Sequence, residues 1–483
     1  MDPAHVTTVD REQSIGILRA EILLRRHRQL PDVRDSLDVF GRDAHIVHRL
    51  AVERDVLVGV TGAASREELT ARQDERLGET VRHAYENVPF YREAMGDMGI
   101  APEDIEGVAD IEKLPMTTKE DFRAEYPDGL FAVEEGDVHR IHASSGTTGT
   151  PKIVAYTEGD LDRWATVMAR SLAAAGVEPG DTVQNAYGYG LFTGGLGFHD
   201  GIEELGATVI PTGGGNTARQ LSMLEDLESD ALACTPSYCL YLADFAEEQG
   251  VDPRDLPVST VVIGAEPFTD PMREAIEDAL DVTAIDIYGL SEIIGPGVSV
   301  ECAEVQEGLH VWEDHFYPEI VDPGTGEPLP AGEEGELVLT TLTKEALPVF
   351  RYRTGDITTL YEDDCECGRT AVRMGNVTGR TDDLLIVRGV NVYASQIEAV
   401  MLDIDGIAPH YRLDLRRKDS LDTMDVTAER HADADASAAA LRAEIEARLG
   451  RQLDVSPDEI AVVEPGEIER TEVGKAKRVF DHR

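Results

Sequence analysis

The stretch "SSGTTGTPK", from Ser144 to Lys152, is the part of the sequence that is best suited to chemistry. Its glycines permit positive φ angles, so successive backbone N–H groups can turn inward around an anion, and its hydroxyls add further donors. The spacing is not that of the NTPase P-loop, because Pro151 precedes the lysine. A flexible linker is the alternative, although a linker has no use for a closing Pro-Lys. We therefore predict a phosphate-binding loop made of Ser144, Ser145, Gly146, Thr147, Thr148, Gly149 and Lys152.

Lysine is scarce in this chain, so its positions carry information. Only seven of the 44 basic residues are lysines. Three of them lie in two glycine-flanked motifs, Lys152 in the loop above and Lys475 and Lys477 in "GKAKR" near the end of the chain. The sequence thus indicates that a flexible ammonium group has a functional role in each of these two motifs.

The charge of the chain limits its partners. There are 94 acidic residues against 44 basic ones, a formal net charge of −50. Such a surface repels nucleic acids and anionic membranes, so we expect neither as a partner, and it is typical of a halophilic cytoplasmic protein. No apolar run is long enough for a membrane span, and no secretory signal is visible. Five cysteines, an odd number, argue against a disulfide framework.

Short apolar runs alternate with helical stretches from about residue 65 onward, as in "DALACTPSYCLYLADFAEE" followed by "STVVIGAEP" and "MREAIEDALD". This order of strand and helix predicts a layered α/β domain. The segment "IVDPGTGEPLPAGEEGELVLTTL" instead predicts a small antiparallel sheet or barrel, because turn residues separate β-rich runs. The last part of the chain, from "GRTDDLLIVRGVNVY", reads as a smaller α+β unit.

We expect the boundary between these two units near Arg380. It gives a large N-terminal domain over residues 61–381 and a small C-terminal domain over residues 382–483. Residues 1–60 differ from both, because nine arginines there almost balance ten acidic residues. An added helical segment and a start codon placed too far upstream would each account for that difference.

Four further motifs follow the glycine-rich loop in order: "YGLSE" at 288–292, "YRTGD" at 352–356, "GRTDDLLIVRGVNVY" at 379–393 and "GKAKR" at 474–478. Together the five motifs resemble those of the adenylate-forming enzymes, the acyl-CoA and aryl-CoA synthetases. The stretch "NAYGYGLFTGGLGFHDGIEELGATVIP" resembles the phenylacetate-CoA ligases more specifically, and this likeness covers about residues 65–483.

The resemblance implies a ligase that uses ATP, Mg²⁺ and coenzyme A. It joins a carboxylate to the α-phosphate of ATP, expels pyrophosphate and then lets the thiol of coenzyme A displace AMP. Lys152 would stabilise the departing pyrophosphate, Glu292 would bind Mg²⁺, and Asp356 would accept hydrogen bonds from the ribose hydroxyls. The other residues placed around the nucleotide are Gly264, Ala265, Glu266, Pro267, Tyr288, Gly289, Ser291 and Arg380.

The resemblance also implies a mobile C-terminal domain. Asp382 matches the hinge about which that domain rotates between the two half-reactions. Lys475 matches a lysine that enters the site for adenylation only, where it stabilises the charge shared by carboxylate and phosphate. Gly389 would keep the pantetheine channel open in the second pose.

The substrate implied is a small aryl carboxylate, phenylacetate or a related aryl acetate. Tyr187 and Phe192 match residues that line the aryl pocket, and the alternative is that both are core aromatics. One branch of the family adenylylates a deazaflavin without making a thioester, and this is the alternative activity. An AMP-binding sensor without chemistry is a third interpretation, and the presence of Lys475, Glu292 and Asp356 speaks against it. A homodimer is kept open as the assembly.

Four residues have side chains suited to a metal. Cys302 and His310 follow "YGLSE", and Cys365 and Cys367 follow "YRTGD", so the two pairs can meet if the motifs converge on one nucleotide. Three thiolates and one imidazole form a suitable tetrahedral set for a structural Zn²⁺. Reduced thiols without a metal are the alternative.

Overall fold

The computed structural model describes residues 64–144, 151–387, 390–418, 421–471 and 475–483. Both hypotheses about residues 1–60 therefore concern a part of the chain outside these ranges. Among the helices in the described ranges, none has the length and apolar character needed to cross a membrane.

A mixed sheet of twelve strands forms the centre of the larger domain, in the order β10-β11-β12-β13-β9-β8-β7-β6-β5-β3-β4, with β14 paired to β12. The pairs from β4 to β7 are parallel and the pairs from β7 to β10 are antiparallel. The strands are β3 Thr182–Asn185, β4 Thr208–Ile210, β5 Ala231–Cys234, β6 Thr260–Gly264, β7 Thr283–Leu290, β8 Gly295–Val300, β9 Leu309–Val311, β10 Phe316–Val321, β11 Glu334–Thr341, β12 Tyr352–Tyr361, β13 Arg373–Met374 and β14 Gly379–Arg380. A separate hairpin joins β1 Arg140–Ser144 to β2 Lys152–Tyr156.

Helices surround this sheet and connect its parallel strands. They are α1 Arg66–Asn87, α2 Pro89–Met98, α3 Lys119–Ala124, α4 Glu158–Ala174, α5 Thr193–Leu205, α6 Thr217–Asp226, α7 Pro236–Glu248 and α8 Asp270–Leu280, with short 3₁₀ turns at Pro102–Asp104, Val108–Lys113, Glu135–Asp137 and Pro253–Asp255. The predicted strand, helix and strand order over 230–281 is thus confirmed as β5, α7, β6 and α8.

Strand β6 shows why the parallel half is buried on both faces. Val261 and Ile263 belong to an apolar cluster with α6, α7 and α8. Val262, which alternates with them and so points to the opposite face, is also fully buried. A strand covered on both sides reads as a continuous apolar run, and "TVVIG" is such a run.

Glycines allow α4 and α5 to pack closely. A Cβ atom at Gly197 would lie 2.4 Å from the Trp164 ring, and one at Gly201 would lie 2.3 Å from Met168 Cβ. The glycine-rich "FTGGLGFHDG" therefore serves helix packing at these two positions, one helical turn apart, and does not form a nucleotide-binding turn there.

The antiparallel end of the sheet contains the segment predicted to form a small sheet or barrel. Strands β10, β11 and β12 pair in sequence, with an irregular register between Glu336 and Val338. These strands continue the large sheet through β13 and β9, so the antiparallel prediction is confirmed without a separate barrel.

The C-terminal part has a core of its own. Its elements are β15 Leu385–Val387, β16 Val390–Val392, α9 Ala394–Leu402, β17 Ile407–Lys418, β18 Leu421–Arg430, α10 Ala438–Gln452, β19 Glu459–Val463 and β20 Val479–Asp481. The last four strands form one sheet in the order β19-β18-β17-β20. Residues of this sheet, the β15–β16 hairpin and both helices form one apolar cluster. The predicted fold, a large α/β domain with a small C-terminal one, is confirmed.

Candidate active site

The hairpin of β1 and β2 carries the ends of the predicted phosphate loop. Ser144 and Lys152 are directly opposite each other in the register of this hairpin. Residues 145–150, which include the predicted Ser145, Gly146, Thr147, Thr148 and Gly149, lie outside the described ranges. The hydroxyl of Ser144 is buried without a hydrogen-bond partner among the described residues, which leaves it available to a ligand.

Lys152 meets Glu292 of "YGLSE". Its ammonium group contacts the Glu292 carboxylate, which is 4% exposed and also accepts a hydrogen bond of 3.1 Å from the Tyr352 hydroxyl. Burial, followed by the nearby cations Arg380 and others, lowers the pKa of Lys152 to about 8. The ammonium group is therefore poised to gain from an anionic ligand.

A second cluster surrounds Asp356. The Tyr288 hydroxyl donates a hydrogen bond of 2.6 Å to Asp356 Oδ2, and the Arg380 guanidinium contacts Oδ1. Strand pairing places the arginine beside the carboxylate, because Asp356 and Arg380 are directly opposite each other on β12 and β14. Arg380 Nη2 also donates a hydrogen bond to the Thr354 carbonyl. Burial raises the pKa of Asp356, and Arg380 opposes that rise.

Asp382, the predicted hinge residue, is bound by two cationic side chains of the larger domain. Lys119 Nζ of α3 donates to Asp382 Oδ2 at 2.8 Å, and Arg380 Nε donates to Oδ1 at 3.2 Å. Burial would raise the pKa of Asp382, but Lys119 and Arg380 more than offset it and the pKa lies below its usual range. The same arginine thus contacts both Asp356 and the hinge. Lys119 had no motif around it and was missed by the sequence prediction.

The "GAEP" turn, residues 264–267, lies between the sheet and the C-terminal segment. A Cβ at Gly264 would lie 2.2 Å from the Ile287 carbonyl oxygen, and Ala265 has a φ of +71°, so the turn is tightly constrained. Glu266 accepts hydrogen bonds from the Ser237 hydroxyl at 2.8 Å and from the Ala476 backbone N–H at 2.7 Å. Glu266 therefore fixes the residue that follows Lys475. Pro267 completes the turn.

Lys475 lies near charged side chains of both domains. Desolvation lowers the pKa of its ammonium group. The carboxylates of Glu266, Asp356 and Asp383 oppose this shift, and the Arg380 charge adds to it. The side chain is still solvent-accessible. The structure thus brings the C-terminal lysine to the Asp356 cluster, 119 positions away in the chain.

Two further contacts hold the C-terminal domain in this position. Arg470 Nε donates to Asp244 Oδ2 of α7 at 3.1 Å, and His410 Nε2 lies 3.2 Å from the same oxygen. Arg470 also forms an ion pair with the buried Glu429. No sequence signal pointed to Asp244, because its partners come from another domain.

Tyr187 and Phe192 have different environments. The Tyr187 ring is buried, stacks on Phe198 with 4.9 Å between centroids, and donates a hydrogen bond to the Cys234 carbonyl. Phe192 is 41% exposed, and Tyr189 and Leu191 beside it are exposed as well. The sequence prediction missed these two neighbours, although the alternation of glycines in "YGYGLF" was a signal for an irregular loop that exposes its side chains.

The exposed loop lies next to both phosphate-side motifs. The Leu191 carbonyl accepts a hydrogen bond of 3.0 Å from Ala143 N–H, one residue before Ser144. The hydroxyls of Thr193 and Ser291 are 3.1 Å apart. At Gly289 a Cβ would lie 2.0 Å from a backbone carbonyl oxygen, so "YGLSE" needs its glycine. Apolar side chains and phosphate-binding groups therefore meet at one place.

The fold and these clusters define the class of protein as an adenylate-forming enzyme. The AMP-binding enzyme family matches residues 100–342, and the AMP-binding enzyme C-terminal domain matches residues 389–483. The phenylacetate-coenzyme A ligase of Thermus thermophilus is 49% identical over 434 residues, which is 86% of this chain and 97% of that one. That of Escherichia coli is 49% identical over 429 residues, 87% and 96% of the two chains. The chain belongs to the phenylacetate-CoA ligase family and is an AMP-forming acid–thiol ligase.

Solved structures agree with this assignment. The 2-hydroxyisobutyryl-CoA ligase in the postadenylation state, in complex with R3-HIB-AMP, is 28% identical and superimposes with a TM-score of 0.81 over 88% of this chain and 92% of that one. The same ligase in the thioesterification state, with 2-HIB-AMP and CoA, gives 0.65 over 88% and 91%. The domain arrangement described above is thus closer to the postadenylation state of that ligase.

Proposed function

We propose that phenylacetate is the acid that this ligase activates, giving phenylacetyl-CoA, AMP and pyrophosphate. The observation that carries this proposal is the identity of 49% to phenylacetate-coenzyme A ligases along nearly their whole length. The exposed aromatic and aliphatic loop beside Ser291 supports it. An aromatic ring packed on Phe192 would gain from burial and from offset or edge stacking, while its carboxylate reaches the phosphate-binding groups.

In the first half-reaction, the chain's own cations bring two anions together. Lys152 would leave the Glu292 carboxylate to stabilise the leaving pyrophosphate, and Ser144 and Ser291 would donate hydrogen bonds to phosphate oxygens. Lys475, held in place by the Ala476–Glu266 hydrogen bond, would stabilise the charge that develops between the carboxylate and the α-phosphate. The better match to a postadenylation state supports this position for the C-terminal domain.

A bound nucleoside would replace some of the hydrogen bonds that these side chains now make with one another. Asp356 already accepts from Tyr288 and Arg380, so ribose hydroxyls would take over part of this hydrogen bonding, with the Tyr288 ring beside the adenine. Glu292 is a carboxylate of the kind that Mg²⁺ prefers, and it becomes free for the ion once Lys152 turns to the phosphates. When bound, Mg²⁺ neutralises phosphate charge.

In the second half-reaction, we propose that the C-terminal domain, residues 382–483, rotates about Asp382. The contacts of Asp382 with Lys119 and Arg380 are ion pairs at a partly exposed site, which can break and reform during such a rotation. Gly389, which lies outside the described ranges, would then line the path of coenzyme A. The reaction would occur in a salt-rich cytoplasm, since the chain carries a net charge of −50 and all five cysteines are free.

Substrate preference tests the proposal. In ATP/pyrophosphate exchange at high salt we expect phenylacetate to exceed benzoate, which lacks the methylene group, by about 10-fold or more in kcat/KM. Coenzyme A should be consumed in proportion to AMP. Exchange without any aryl acetate dependence, or AMP transfer without consumption of coenzyme A, would contradict the proposal. The second result would favour the deazaflavin adenylyltransferase instead.

The Phe192→Ala variant tests the location of the aryl pocket. Loss of ring burial and stacking should lower kcat/KM for phenylacetate by about tenfold. Leu227→Ala is the matched control, since Leu227 is exposed to a similar extent at the end of α6. Equal behaviour of the two variants would place the pocket elsewhere.

ATP binding should weaken above about pH 8, because Lys152 then loses its proton. If only the ammonium form binds the phosphates, the affinity falls by about tenfold per pH unit above this pKa. The measurement is calorimetric titration of ATP into a Lys475→Ala variant, which removes the other ammonium of the site. Adding Lys152→Arg should abolish the pH dependence, because a guanidinium stays protonated. A persistent alkaline weakening in that double variant would assign the titration to another group.

A further inference from the structure

Cys302, His310, Cys365 and Cys367 come together away from the Lys152 and Asp356 clusters. One ligand atom from each lies within 4.8 Å of the corresponding atom of every other residue. Cys302 follows β8, His310 lies on β9, and the two remaining cysteines occupy the turn between β12 and β13. Cys302, His310 and Cys365 are buried, and Cys367 is partly buried. Four soft ligands from three separate segments thus converge on one point.

Two of the distances between these atoms match the edges of a tetrahedral zinc site. Cys302 Sγ and Cys365 Sγ are 3.8 Å apart, and Cys367 Sγ lies 3.4 Å from His310 Nε2. Zinc–sulfur bonds of about 2.3 Å and zinc–nitrogen bonds of about 2.0 Å at tetrahedral angles require edges of about 3.8 Å between two sulfurs and about 3.5 Å between sulfur and nitrogen. Both observed edges agree with these values.

Neither a disulfide nor an iron–sulfur cluster fits the geometry of these four residues. All three cysteines are free thiols, and the 3.8 Å between Cys302 Sγ and Cys365 Sγ is far beyond the disulfide bond length of about 2.05 Å. The ligand atoms also surround a space for one ion and not for a cluster of several irons and sulfides. Because four protein ligands complete the tetrahedron, no position is open for a substrate.

The surroundings balance the charge of such a site. Three thiolates and one divalent cation leave a net charge of −1 next to the protein core. The Arg369 guanidinium is 4% exposed, pairs with the exposed Glu304 at 3.5 Å, and has a buried Nε without a hydrogen-bond partner among the described residues. A metal site of net negative charge beside it would give this buried arginine a second counter-charge.

We propose that these four residues bind one structural Zn²⁺ ion, which displaces the thiol protons and fastens the β12–β13 turn to β8 and β9. Strand β12 begins with "YRTGD" and carries Asp356, so the ion anchors the far end of the strand that presents this carboxylate. The tight turn that offers the cysteines is closed by the Gly368 N–H, which donates to the Cys365 carbonyl at 2.9 Å, with Gly368 at a φ of +83°.

Metal analysis of the full-length, tag-free protein tests this proposal. We expect one zinc per chain after extensive dialysis, and its loss in Cys365→Ser and in Cys302→Ser. The matched control is Cys239→Ala, which removes a buried thiol of α7 and should keep one zinc per chain. The ligand variants should also unfold at a temperature lower by about 5 °C or more.

A measurement on the unmodified protein covers the case in which the ligand variants fail to fold. Titration with a thiol-modifying reagent should release one zinc while three thiols react, and replacement by Co²⁺ should give the visible absorption of tetrahedral cobalt–thiolate coordination. Iron in place of zinc, a Cys302–Cys365 disulfide, or zinc well below one per chain in the wild-type protein would overturn the proposal. These readouts do not depend on which acid the ligase activates.

Discussion

Replacing Lys475 with alanine is expected to slow adenylate formation by about 10²–10³-fold, the usual effect of removing one group that stabilises transition-state charge. The structure brings this ammonium group under the influence of Glu266, Asp356 and Arg380, with the next residue fixed to Glu266 through its backbone. Thioester formation from preformed phenylacetyl adenylate and coenzyme A should be almost unaffected. The two half-reactions are measured separately, by pyrophosphate exchange and by thioester release.

Lys477→Ala is the control for this experiment. Lys477 belongs to the same motif, but its ammonium group lies over the Phe480 ring, 4.8 Å from the centroid, within the C-terminal domain. Its removal should leave both half-reactions close to normal. If Lys475→Ala slows both half-reactions equally, its role is structural and the proposed division of labour is wrong.

The Asp314→Asn variant should lower the free energy of unfolding by about 3–5 kcal/mol, because it removes the buried negative charge that faces Arg170 and Arg76. Both oxygens of Asp314 accept hydrogen bonds from Arg170 Nη1, at 3.0 and 3.2 Å, and Arg76 Nη1 lies 3.5 Å from Oδ2. One carboxylate therefore joins α4 and α1 to the loop between β9 and β10. Denaturant unfolding at constant salt measures the loss. Asp363→Asn is the control, since Asp363 pairs with Arg373 while 72% exposed and should cost less than about 1 kcal/mol.

The same cluster should make the free energy of unfolding fall at acidic pH. Burial lowers the pKa of His315 to about 3, so His315 is neutral in the folded chain and binds its proton more readily when unfolded. Stability should therefore fall as the pH drops from about 6.5 towards about 3. Burial alone would raise the pKa of Asp314, but His315, Arg170 and Arg76 more than offset it, and the pKa lies well below its usual range. The contribution of Asp314 to the free energy of unfolding is therefore lost only below the pKa of about 3.9 that an aspartate has in the unfolded chain. A His315→Gln variant that keeps the full slope above that pH would contradict this assignment.

The sequence was most informative where function restricts a short segment. Five ordered motifs predicted the family and the two-domain fold, and the turn chemistry of "CECGR" predicted a meeting of thiols with His310 that the structure does contain. These signals are local, because a phosphate-binding turn or a tight cysteine turn requires particular residue types at neighbouring positions. Such requirements can be read without knowing the rest of the fold.

Contacts between distant segments could not be predicted in this way. Asp314 and Arg76 are 238 positions apart, and Asp382 and Lys119 are 263 apart. Nothing in the neighbourhood of Arg76, Asp314 or Lys119 distinguishes them from the other charges in a chain with 94 acidic residues, and the motif around Asp382 does not reveal its partner. The aryl-pocket prediction shows the same limit, since Tyr187 and Phe192 are close in sequence and only the fold separates a buried ring from an exposed one.

The separate apolar core of the C-terminal domain has a consequence for the timing of the reaction. Its contacts with the larger domain include ion pairs and hydrogen bonds to Asp244 and Glu266 and apolar packing of Leu402. Under the proposed rotation, the C-terminal domain would exchange these carboxylate partners for hydrated ions, while its own apolar core stays intact. The concentration of electrolyte around the protein should then affect how readily one turnover passes from its first step to its second.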